Sequence, residues 1–160
     1  RRIKKKKIAN KIFIYEKSSS NISKIKKLKL PGKIVKKLEE GVLKSDFIIL
    51  CTPMSESKNL ILKMNHHLSK NTIITDIGSS KIETSKIIKK FLRKDIIWTQ
   101  GHPIAGSEVS GPENGKHEIF ENKWCVLIRD KNTKKKHITM LSNFWKKMGA
   151  KIVIMTAEKH

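Results

Sequence analysis

Residues 100–115, "QGHPIAGSEVSGPENG", hold one histidine between Gly101 and Pro103, four glycines, two prolines, two serines, two glutamates and no lysine. The rest of the chain is crowded with lysine and isoleucine. A connection between elements needs turn residues, but it does not need an imidazole. A neutral imidazole at His102 can accept a proton from a substrate hydroxyl while a hydride leaves the same carbon. Upstream, "DIGSSK" at 76–81 sets Gly78, Ser79 and Ser80 after an apolar run. Gly78 permits a close approach or an unusual backbone angle, and one serine is enough to cap a following helix. A second hydroxyl at the same place points towards a site. Thr52 and Pro53 follow another apolar run and end it, with Ser55 as a helix cap and a bare turn backbone able to lie against a flat cofactor. Glu16 follows a third. A carboxylate there accepts hydrogen bonds from ribose hydroxyls and repels a 2′-phosphate, which selects NAD over NADP. An ordinary surface carboxylate satisfies the sequence at that position as well.

The elements that must position these residues are legible from apolar runs. "KIFIY" (11–15), "FIILC" (47–51), "TIITDI" (72–77), "IIWTQ" (96–100), "WCVLI" (124–128) and "KIVIM" (151–155) are β-branched and mostly continuous, as in strands buried on both faces. Between them, 55–68, 79–92 and 132–149 read as helices. Ile82, Ile87, Ile88, Phe91 and Leu92 space one apolar face, and Ile138, Leu141, Phe144, Trp145 and Met148 another, with Gly149 as a stop. Residues 18–45 predict a helix near 20–29, a short strand at "KIV" and a helical turn before Asp46. The alternation predicts an α/β fold, a doubly wound, largely parallel sheet with helices on both faces. Sites in such sheets collect at the carboxyl ends of strands, where His102, Ser79, Thr52 and Glu16 all fall.

Composition bounds the rest. A chain of 160 residues with 38% hydrophobic content supports one domain with a core. No apolar run approaches the roughly 20 residues that span a bilayer, so no membrane role is expected. The basic N-terminus lacks the apolar segment of a signal peptide. Cys51 and Cys125 are far apart within apolar runs and predict free, buried thiols in a reducing cytoplasm, with no metal site. A net charge of +22 is the usual mark of a nucleic-acid partner. Here nearly all of it is lysine scattered over helix faces and loops, with only Arg1, Arg2, Arg93 and Arg129 as arginines. Nucleic-acid binding is therefore not expected as the main role.

In order along the chain, "SDFIILCTP", "TDIGSSK" and "GHPIAGSEVSGPENG…IFENKWCVLI" resemble the nucleotide-binding domain of the prephenate and arogenate dehydrogenases of tyrosine biosynthesis. The resemblance runs over about residues 10–160 and is most specific in the "HPIAGSE…SG" segment. It implies an NAD-dependent oxidative decarboxylation of a small-molecule substrate, with NADP the less favoured cofactor. By motif, His102 is similar to the histidine that bonds the substrate hydroxyl and takes its proton, and Ser79 to the serine that orients both. Ser107 resembles a substrate-contacting hydroxyl and Glu108 a carboxylate behind it. Glu16 corresponds to the ribose-binding acid, and Thr52, Pro53 and Gly78 to the turns against the cofactor.

Two departures follow from the same resemblance. The family opens with a strand and a Gly-rich turn that holds the pyrophosphate. No G-x-G-x-x-G occurs here, and the chain starts where a basic first helix would be ending. Residues 1–155 are thus expected to be a partial, Rossmann-like dinucleotide-binding domain lacking its first strand. Residues 156–160 are expected to begin a helical domain, with Thr156 as its cap, that carries homodimer contacts and a substrate-binding arginine. Such a fragment is not expected to turn over alone. The alternatives are a β-hydroxyacid type of nicotinamide oxidoreductase, whose lysine base on a later helix the histidine loop argues against, and a lysine-rich nucleic-acid-binding module.

Overall fold

β-branched side chains pack well on a pleated surface covered from both sides, and each expected apolar run contains a strand. A computed structural model of the chain describes residues 1–106, 111–131 and 133–160. Its strands are β1 (Phe13–Ile14), β2 (Lys33–Ile34), β3 (Phe47–Leu50), β4 (Ile73–Asp76), β5 (Ile97–Trp98), β6 (Gly101–Pro103), β7 (Trp124–Ile128) and β8 (Lys151–Met155). Helices α1 (Arg2–Lys5), α2 (Ser19–Lys27), α3 (Leu38–Val42), α4 (Ser57–Met64), α5 (Lys81–Phe91) and α6 (Lys135–Lys147) lie between or before them.

β3, β4 and β5 pair in parallel, as do β1 with β2 and β7 with β8; β6 is antiparallel to β7. The backbone between β5 and β6 changes partner. Thr99 N–H still donates to the Ile74 carbonyl at 3.1 Å, whereas the Gln100 carbonyl accepts from Ile128 N–H at 3.1 Å. One bent strand therefore carries the chain from β4 to β7. Among the described residues no ladder joins β1 to β3. Those are the two edges between which the family resemblance puts a first strand.

Neighbouring residues of a strand face opposite ways. Ile48, Leu50 and Ile74 enter a core with Ile61 and Met64 of α4 and Ile88 of α5. Phe47, on the other face, joins Cys125 and Leu127 of β7 and Leu141 and Trp145 of α6. Helices thus cover both faces, as a doubly wound sheet requires. Each such fully buried aliphatic side chain contributes about 1.5–3 kcal/mol. The α6 helix ends where Gly149 adopts φ +93°, with its N–H donating to the Lys146 carbonyl at 2.9 Å. A Cβ there would meet Arg2 Nη2 at 2.8 Å, so both the angle and the space call for glycine.

Three expectations need correction. His102 lies on the short strand β6 rather than in a loop. Cys51 is exposed where a buried thiol is expected, while Cys125 is buried; both are free. Ile82, counted on the apolar face of α5, is 47% exposed, because that face is set by Thr84, Ser85 and Ile88 instead.

Candidate active site

The end of β4 and the start of α5 build a buried polar knot. Asp76 and Lys81 are five residues apart, across the turn that contains Gly78, and both are almost wholly removed from solvent. Lys81 Nζ donates to Asp76 Oδ2 at 2.6 Å and to the Gly101 carbonyl at 2.6 Å. Asp76 Oδ2 also accepts from Gly78 N–H at 3.2 Å. Gln100 closes the knot: its Nε2 donates to the Lys81 carbonyl at 3.1 Å, and its Oε1 accepts from Ser85 Oγ at 2.8 Å. Burial pushes the Asp76 carboxyl up and the Lys81 ammonium down, each opposed by the charge of the other. Gly101 is needed because β6 passes close to this knot. A Cβ there would sit 3.2 Å from Trp145 Nε1 and 3.5 Å from the Asp76 carbonyl oxygen.

His102 follows directly. Its register partner is Val126, so both side chains leave the same face of the β6–β7 pair. Val126 packs with Ile128 and with Ala157 from the turn after β8. That brings the C-terminal turn to the histidine: His102 Nδ1 lies 2.9 Å from His160 Nε2, with ring centroids 5.1 Å apart at 65°. Burial, then the Lys81 cation, then His160 hold the His102 imidazole below its usual pKa of 6.5. Cys125, beneath the same strand, is pushed up to about 12 by burial and stays a neutral thiol. The arrangement presents an uncharged imidazole at neutral pH, which is the state a general base requires.

The strand-end turns are linked to one another. Ser79 and Ser80 are exposed at the N-terminus of α5, and Ser80, at the cap position, does not cap it with its hydroxyl. Ser79 is thus open to solvent just past the carboxyl end of β4. Thr52 and Pro53 are exposed after β3 and lead into a single 3-10 turn at Met54–Glu56. The side chain of Met54, in the turn after β3, lies over Gly78 and fills the space a Cβ would take, so the turns after β3 and β4 touch there. At the end of β1, Glu16 accepts from Ser18 N–H at 2.8 Å and from Asn21 Nδ2 at 3.3 Å, while Ser18 caps α2. Both oxygens are oriented by these bonds and keep lone pairs for a further donor. Lys17 pairs with Glu56 at 2.9 Å and so ties the β1 end to the β3 turn. Ser107 and Glu108 lie outside the described residues.

Lys81, Asp76 and His160 are absent from the sequence reading. In so lysine-rich a chain a single buried lysine carries no mark of its own. The available signal is its position one helical turn past an aspartate at a strand end. His160 is separated from His102 by 58 residues, and only the packing of Ala157 brings it near.

A parallel sheet wound on both faces, with an acid ending β1 and turns gathered over the carboxyl ends of β3 and β4, defines the chain as a dinucleotide-binding domain of the oxidoreductase kind. The family model for the prephenate dehydrogenase nucleotide-binding domain matches residues 1–154, and the chain belongs to that family. A cyclohexadienyl dehydrogenase of Zymomonas mobilis is 30% identical over 149 residues, covering 93% of this chain and 50% of that protein. A prephenate dehydrogenase of Bacillus subtilis is 30% identical over 121 residues, 75% of this chain and 33% of the relative. The crystal structure of prephenate dehydrogenase from Aquifex aeolicus, in complex with hydroxyphenyl propionate and NAD+, superposes with a TM-score of 0.88 at 27% identity. It covers 99% of this chain and 55% of that one. The chain thus spans about half the length of these relatives, or less.

Proposed function

We propose that the protein, in its whole form, catalyses the NAD-dependent oxidative decarboxylation of prephenate or arogenate. The observation that carries this reading is a histidine held neutral at the carboxyl end of a dinucleotide-binding sheet, beside a buried lysine. NAD supplies the hydride acceptor when bound, and the oriented Glu16 carboxylate is where its ribose hydroxyls would be held. Thr52, Pro53 and Gly78 form the interlocked turns on which the cofactor would rest. A strand and Gly-rich turn ahead of Arg1 would hold the pyrophosphate.

His102 receives the proton of the substrate's ring hydroxyl as the hydride leaves the carbon that bears it. The ring carboxylate then departs as carbon dioxide, and its bonding electrons complete the aromatic ring. Ser79 orients the hydroxyl, and Ser107 with Glu108 completes the substrate side of the loop, by the same correspondence of motif. Residues 156–160 begin a helical domain that supplies the substrate-binding arginine and the homodimer contacts.

His102→Asn in the full-length protein tests the base. General-base catalysis is worth about a hundred- to ten-thousand-fold, so kcat is expected to fall in that range with the KM for NAD little changed. The wild-type kcat/KM rises as His102 of the free enzyme loses its proton, with a midpoint moved down from 6.5 by burial and by the neighbouring Lys81 and His160, and the variant loses that limb. A variant that keeps both the rate and the limb excludes His102 as the base.

A further inference from the structure

We propose that His160 is a positioning residue for His102: it accepts the Nδ1 proton of that ring and so leaves Nε2 as the basic nitrogen. The inference rests on the reading of His102 as the base.

The geometry is a direct nitrogen-to-nitrogen hydrogen bond of 2.9 Å, which requires one shared proton between the two rings. A neutral imidazole carries a single N–H. If His102 spends it on His160, its Nε2 bears a lone pair and is the nitrogen that can take a proton from a hydroxyl. The reverse arrangement, with His160 donating, fills the Nδ1 lone pair and puts the His102 proton on Nε2, which abolishes the base. The direction of this one bond therefore decides whether His102 can work.

His160 is held in place rather than trailing. Ala157 is buried against Val126 and Ile128 of β7. Lys159 N–H donates to Thr156 Oγ1 at 3.3 Å, and His160 N–H donates to the Thr156 carbonyl at 3.1 Å. The turn is capped by its own threonine and nailed to the strand that pairs with His102.

The surrounding charges explain why a histidine is used there. Lys81 of α5 faces His102 as a cation, and Asp76 of β4 is committed to it at 2.6 Å. Cys125 of β7 is a neutral thiol. Among the described residues no free carboxylate faces the ring, so an imidazolium formed at His102 meets Lys81 with nothing to balance it. The Nδ1–H held on His160 Nε2 at 2.9 Å lets that charge spread onto a second ring. The proton taken up at His102 Nε2 leaves for water once product has gone, which returns His102 to its Nδ1–H tautomer.

Nitrogen-15 spectra of the full-length protein with labelled histidine read the tautomer without any turnover. The expected result is His102 protonated at Nδ1 in the wild type and a return towards the mixed tautomers of free imidazole in His160→Ala. A His102 found with its proton on Nε2 in the wild type overturns the proposal. In kinetics, His160→Ala is expected to lose about ten-fold in kcat, a fraction of the full general-base contribution, with the KM for substrate near that of wild type. Added imidazole should restore part of that loss, and His160→Gln, whose side-chain carbonyl still accepts the Nδ1 proton, should hold the tautomer and recover most of the rate. An unchanged kcat in His160→Ala, or a fall without a change of tautomer, overturns it. If the protein proves not to oxidise prephenate or arogenate at all, the proposed activity fails while the tautomer assignment is still decided by the spectra.

Discussion

At the level of single residues, the site is made of side chains whose neighbours leave them one useful state. His102 is neutral because it is partly buried and faces Lys81 and His160. Its type and its glycine and proline neighbours made it conspicuous in the sequence. Its strand did not show, because glycine and proline are depleted in strands and β6 is held instead by its antiparallel pairing with β7. Gly78 was legible as a glycine at a strand end, but its partner was not. The structure makes it the socket for Met54. Because what stands in the way is the thioether end of a flexible, partly buried side chain, Gly78→Ala is expected to cost no more than about 1 kcal/mol, the low end for overpacking. Adding Met54→Ala should remove much of that cost, since the clash is with that side chain alone. Urea unfolding of the two single variants and the double variant measures the coupling. Additive effects would show that the two turns are not locked together by this contact.

At the level of elements, β4, α5 and β6 are joined by a buried ion pair in addition to the apolar packing of Ile74 on Ile88. The Lys81–Asp76 pair has side-chain exposures of 0% and 1% and also holds the Gly101 carbonyl. Burial raises Asp76 and lowers Lys81, so each depends on the other to stay charged. Lys81→Met leaves a buried carboxylate without its cation and is expected to cost about 3–5 kcal/mol in urea unfolding. Asp76→Asn with Lys81→Met removes both charges and should regain most of that loss. A double variant as unstable as the single one would mean that the bond to Gly101, not the charge pair, carries the stability. The elements themselves were readable: continuous β-branched runs gave all the parallel strands, and α6 followed its apolar spacing to Gly149. The knot was not, since apolar periodicity is blind to a lysine that packs inward.

For the whole molecule, the sheet order and the family agree on a nucleotide-binding domain, and the net charge of +22 adds nothing to that site. The resolved ion pairs spend little of it. Lys17–Glu56, Lys24–Glu113 and Lys86–Glu83 are exposed pairs of the kind worth little individually. What the charge could not show, and the ladders do, is that among the described residues β1 and β3 do not pair with each other. The most direct test of the proposed activity is to incubate the full-length protein with NAD and either prephenate or arogenate, and to measure NADH and carbon dioxide together. Both products are expected in equal amounts, with one of the two substrates clearly preferred. NADH without carbon dioxide would contradict the proposed activity in favour of a simple alcohol dehydrogenase, and neither product from either substrate would contradict it outright.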